Sequence, residues 1–115
     1  MREPRRGDVY RINFDPSIGH EQEGLRYGIV IQSNFYSALS TTLVIPTPKG
    51  ARPVHFHVSV WIEGEKTYAL GEQLTTVDKT RRLRPERYVS TLSTQDMESV
   101  SQAVKQLLGL DPNLL

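Results

Sequence analysis

The segment His20-Glu21-Gln22-Glu23-Gly24-Leu25-Arg26 concentrates an imidazole, two carboxylates, an amide and a guanidinium just before the apolar run Ile29-Val30-Ile31. Gly19 and Gly24 bracket its polar part, and glycines at both ends let the backbone turn back on itself. Such a loop adapts, while Arg26, at the point where loop becomes strand, is held by the scaffold. A guanidinium presents its N–H donors in a fixed fork that fits a phosphate. An ordinary ion pair of Arg26 with Glu21 or Glu23 explains the same residues, and on composition alone it is the stronger reading.

Thr47 and Lys49 in Pro46-Thr47-Pro48-Lys49-Gly50, and Glu72-Gln73 after Gly71, extend the set. With His20, Glu21, Gln22 and Arg26 they make a metal-free group suited to cleavage of RNA by its own 2′-hydroxyl. That reaction needs a group to take the 2′ proton, one to protonate the leaving 5′ oxygen, and donors for the charge on the phosphorane. Arginine hardly deprotonates, so Arg26 is a charge clamp rather than a base. His20 is the nearby group that ordinarily titrates near neutrality, which makes it the acid–base candidate.

Other chemistries find less support. His55 and His57 lie two apart on an alternating strand and supply two ligands where a catalytic zinc wants three, so no metal is expected. Neither a Gly-x-Ser-x-Gly elbow nor a phosphate-binding glycine loop is present. Between Lys79 and Arg87, the basic residues Lys79, Arg81, Arg82, Arg84 and Arg87 face the single acid Glu86. That cluster neutralises phosphates in one reading and is a solvated, arginine-rich turn in the other. Tyr27, Phe35 and Tyr36 are candidates for base stacking, or equally for core or dimer contacts.

The elements that must position these groups follow from the pattern. The length, 115 residues, predicts one domain over 1–115. The absence of cysteine excludes disulfides and thiolate sites and fits a cytoplasmic setting. No apolar run approaches a membrane span, and a net charge of +1 favours no partner by itself. Strands are expected at Val9–Phe14, Tyr27–Ser33 and Thr41–Ile45, the last ended by Pro46 and Pro48, which cannot donate to a ladder. Another runs from Val54 to Val60 with His55, His57 and Ser59 facing outward, another from Thr67 to Val77 with a bulge near Gly71, and a short one from Tyr88 to Leu92. Met97, Val100, Val104, Leu107 and Leu108 recur at helical spacing over about 94–108, with Ser93 and Asp96 to cap the start and Gly109 to end it.

Arg6-Gly7-Asp8-Val9-Tyr10, Asp15-Pro16-Ser17-Ile18-Gly19-His20-Glu21-Gln22-Glu23-Gly24-Leu25-Arg26 and Ile29-Val30-Ile31-Gln32-Ser33-Asn34 together resemble the opening of MazF/PemK-type toxins. Pro46-Thr47, Glu72-Gln73-Leu74-Thr75-Thr76-Val77-Asp78-Lys79 and Arg82-Leu83 follow in that family's order and spacing. The resemblance implies a mainly β fold, an SH3-like β-barrel with a C-terminal α-helix, as a homodimer. It implies a sequence-specific endoribonuclease without cofactor that cuts single-stranded RNA, leaves a 2′,3′-cyclic phosphate and a 5′-hydroxyl, and is neutralised by a cognate antitoxin. By the same resemblance Arg26, Thr47 and His20 are catalytic and Glu72-Gln73 contact substrate. Glu21, Gln22, Lys49, Lys79, Arg81 and Arg82 join them as binding residues on charge and position.

Three departures stand out: Tyr27 where proline commonly follows the loop arginine, Leu70 where the PemK-like branch has arginine, and Pro48 where small polar residues are common. They leave a second expectation, a degenerate barrel that binds antitoxin or RNA without cutting. A gyrase-poisoning toxin of similar fold is a third, although the chain ends Asn113-Leu114-Leu115 rather than in the tryptophan-glycine-isoleucine tail of that group.

Overall fold

The computed structural model describes residues 3–14, 25–48 and 57–114. Strands β1 (Asp8–Asn13), β2 (Leu25–Val30), β3 (Thr41–Thr47), β6 (Thr75–Asp78) and β7 (Tyr88–Thr91) form an antiparallel sheet in the order β6-β3-β2-β1-β7. Strands β4 (His57–Ile62) and β5 (Glu65–Leu70) form a separate hairpin. Its turn sets Glu63 and Gly64 at φ 51° and 78°, and positive φ at both positions is what a tight two-residue hairpin turn demands. A short helix α1 (Lys79–Arg82) and the long helix α2 (Thr94–Leu107) complete the elements.

Alternation along the strands builds two apolar faces. Val9, Ile29 and Ile45 meet Val60, Ile62 and Ala69 of the hairpin and Val100 of α2 on one side. Tyr10, Ile12, Val30 and Val44 meet Val77 and Leu83 on the other. The hairpin docks through β5 against β3, but no ladder closes the two sheets into one barrel among the described residues. The other expected strands and the helix are met within three residues at their described ends, and Val54, His55 and Phe56 lie outside the described residues. The break near Gly71 is a 3-10 turn, Gly71–Gln73, between β5 and β6.

Helix α2 begins where the Ser93 hydroxyl accepts from the Asp96 N–H at 3.0 Å, and Asp96 in turn accepts from the Trp61 N–H at 3.1 Å. One cap therefore serves the helix start and the edge of β4. At the other end Gly109 takes φ 69°, and the N–H groups of Gly109 and Leu110 reach back to Gln106 and Lys105. Burying Val100 beneath α2 contributes about 1.5–3 kcal/mol. No described helix is long and apolar enough to cross a membrane.

Two expectations change. Strand β3 runs through Pro46 to Thr47, with Pro46 opposite Gly28. The missing N–H is tolerated because β6 pairs only with Thr41–Val44, so beyond Val44 that ladder asks no donor of β3. His57, expected on a wet face, has a side chain only 11% exposed and is engaged by Glu72.

Candidate functional site

The antiparallel order brings the end of β1, the start of β2 and the end of β3 to one end of the five-stranded sheet. Ile12 stands opposite Arg26; Arg11, Tyr27 and Thr47 stand opposite one another across the three strands. Directly opposed residues share a face and successive ones alternate. Arg26, half-buried, therefore belongs to the face of Ile12, and Thr47 to the face of Tyr27. The two candidate catalytic residues lie at the same end of adjoining strands, on opposite faces.

Thr47 is 2% exposed, and among the described residues its hydroxyl has no hydrogen-bond partner. A buried polar atom left unpaired costs about 1–3 kcal/mol, so folded proteins seldom keep one without a use. Beside it the Pro48 carbonyl accepts a hydrogen bond from the Thr67 hydroxyl at 3.4 Å, which ties the end of β3 to β5. Arg82 reaches the same end of the sheet, where its guanidinium donates to the Asn13 carbonyl.

The remaining candidates divide. Lys79 sits near the start of β3, away from Thr47: its N–H donates to the Ser40 carbonyl and its ammonium holds Glu3 Oε1 at 2.9 Å and the Ser37 carbonyl. Arg81 is exposed, and its N–H caps α1 by donating to Asp78 Oδ1 at 3.0 Å. The Thr80 hydroxyl, at 2.6 Å, and that N–H together hold the Asp78 carboxyl below its ordinary range. Glu72 turns to His57, Oε2 to Nε2 at 2.7 Å, while Gln73 is half-buried in the turn that contacts β3. His20, Glu21, Gln22 and Lys49 lie outside the described residues.

The buried Asp8 of the Arg6-Gly7-Asp8 motif proves structural: it accepts from the Arg5 N–H at 2.9 Å and from the Thr91 hydroxyl at 3.0 Å, tying the leading segment to β7. Two associations escaped the sequence reading. One is the His57–Glu72 pair, which joins β4 to the turn after β5. The other is Arg11, whose guanidinium carbon lies 5.3 Å from the Tyr27 ring centroid. The signal for Arg11 was present in the alternation of β1, where a cation takes the place that an apolar residue takes at Val9.

Comparison with known proteins agrees with this architecture. The family described as PemK-like, MazF-like toxin of type II toxin–antitoxin system matches residues 5–108. The endoribonuclease MazF of Staphylococcus saprophyticus is 32% identical over 113 residues, covering 92% of each chain. The endoribonuclease EndoA of Bacillus subtilis is 30% identical over 113 residues, covering 92% of this chain and 95% of its own. The crystal structure of MazF from Deinococcus radiodurans superposes with a TM-score of 0.83 at 22% identity, over 95% of this chain and 99% of that one.

Proposed function

We propose, since the chain belongs to the PemK-like, MazF-like toxin family of type II toxin–antitoxin systems, that it is an endoribonuclease toxin acting on single-stranded RNA and restrained by a cognate antitoxin. The observation that carries this reading is a family match over residues 5–108 together with relatives at 30% identity or more that are named endoribonucleases. A single 1–115 domain working as a cytoplasmic homodimer fits the same family.

The chemistry follows from the side chains. The 2′-hydroxyl loses its proton to a base, its oxygen bonds to phosphorus, and the bond from phosphorus to the 5′ oxygen breaks as that oxygen gains a proton. The products are a 2′,3′-cyclic phosphate and a 5′-hydroxyl. His20 is the proton carrier in this reading, and Arg26 neutralises the phosphorane. The orphaned Thr47 hydroxyl offers a further donor, useful to a charge that develops only in the transition state. With Arg26 and Thr47 on opposite faces, the scissile phosphate sits across the strand ends, where both faces are within reach. Arg82, at the end of β1, and the exposed Arg81 supply phosphate contacts farther along the strand.

The test is cleavage of a long mixed-sequence RNA in EDTA, with end-group analysis of the products. Cuts ending in cyclic phosphate are expected; Arg26→Lys should lose a hundredfold or more in rate, since an ammonium lacks the planar fork. His20→Ala with wild-type rate and pH profile would remove His20 from the mechanism. The separation of Arg26 and Thr47 by the pleat favours one other reading, a barrel that binds RNA or antitoxin without cutting. RNA binding with no product in the same assay would establish that reading instead.

A further inference from the structure

Arg11 differs from three other described cations. Lys79 is fixed by Glu3 and a carbonyl, Arg82 by the carbonyl of Asn13, and Arg6 by Ile31 O and Ser101 Oγ. Arg11 has no carboxylate and no hydrogen-bond acceptor among the described residues; its contact is the Tyr27 ring. It is exposed, and its contact with the ring gives the guanidinium a preferred position while the side chain stays open to solvent.

Its location gives the purpose. Arg11, Tyr27 and Thr47 form one row across β1, β2 and β3, so Arg11 shares the face of Thr47, as Arg26 does not. With strands about 4.8 Å apart, Arg11 and Thr47 are separated at the backbone by about 10 Å, with Tyr27 between them. Tyr27, in turn, packs against the core that includes Val9, Ile29 and Ile45, which anchors the ring beneath the guanidinium.

We propose that Arg11, oriented by Tyr27, is a phosphate-binding residue that holds the RNA backbone at the end of the sheet where Arg26 and Thr47 lie. The proposal rests on the endoribonuclease reading for its substrate, and it makes Tyr27 a positioning residue.

The experiment compares wild type, Arg11→Gln, Arg11→Lys, Tyr27→Phe and Tyr27→Leu. Binding is measured to a 2′-O-methyl RNA, which cannot be cut, as a function of salt; cleavage is measured on unmodified RNA; thermal unfolding serves as the fold control. Losing one phosphate contact lowers the slope of log Kobs against log salt by about 0.7. Arg11→Gln should show that drop, with KM raised about tenfold and kcat little changed. Arg11→Lys should keep the slope but lose part of the affinity. Tyr27→Leu should weaken binding about two- to fivefold, and Tyr27→Phe, which keeps the ring, should restore it.

An Arg11→Gln protein that folds and keeps the wild-type slope and KM overturns the proposal. Equal behaviour of Tyr27→Leu and Tyr27→Phe overturns the role of the ring. If wild type cuts no RNA, the endoribonuclease reading fails, and the binding slope still decides the role of Arg11.

Discussion

Thr47→Val should make the protein more stable and less active at once. Valine keeps the β-branched shape that strand β3 requires and removes only the hydroxyl. That hydroxyl is buried, its residue 2% exposed, and unpaired among the described residues, so its removal relieves about 1–3 kcal/mol of desolvation. For a chain of 115 residues, unfolding entropy of about 2 cal/mol/K per residue converts each kcal/mol to about 4 °C. Tm should therefore rise by about 4–12 °C at fixed protein concentration, read by calorimetry or circular dichroism. Cleavage should fall about a hundredfold or more, the effect of removing one donor aimed at transition-state charge. A valine variant that melts lower than wild type shows that the hydroxyl is satisfied in the folded protein. One that cuts at the wild-type rate shows that Thr47 gives nothing to the reaction. Either result refutes the account of an orphaned donor kept for catalysis.

Three further outcomes follow from packing and charge. A Cβ on Gly28 would lie 2.3 Å from Cδ1 of the fully buried Ile12, so Gly28→Ala should lose about 1–3 kcal/mol in urea denaturation; at Gly71 the near atom is the tip of the exposed Leu107, 2.6 Å away, and Gly71→Ala should lose less than about 1 kcal/mol. Asp78 has its carboxyl held below 3.8 by the Thr80 hydroxyl and then the Arg81 N–H, so its stabilising cap is complete above that value and is lost as pH falls through the lowered one; Asp78→Asn, which caps without charge, should flatten the acid limb of a urea-midpoint profile against pH.

Much of the fold was legible because its strands obey a period of two and its helix a period near 3.6. Val9 and Val60 were recoverable as core from alternation, Ile29 and Ile45 from the apolar and β-branched runs that hold them, and Ser93 with Gly109 as the bounds of α2 from capping chemistry. Pro46 misled because whether a strand can dispense with a donor depends on which neighbour pairs there, a tertiary fact. Helix α1 was missed since four residues carry no periodicity. In the site, residue types were readable and their faces were not: Arg26 and Thr47 are neighbours in the sheet, yet the register separates them. Glu72 could be seen as polar and near a strand end, while its partner His57 lies across a hairpin that sequence spacing does not measure.

The pairing of β1 with β7, sealed by Thr91 donating to Asp8, sets a clock on the birth of this protein. About 80 residues separate the end of β1 from the end of β7, and at about 5–20 residues per second a ribosome takes about 4–16 s to deliver them. Through that interval β1 has one edge unsatisfied and the sheet lacks its last strand. A sheet whose first strand waits for its last stays open on one side for as long as the residues between them are being made.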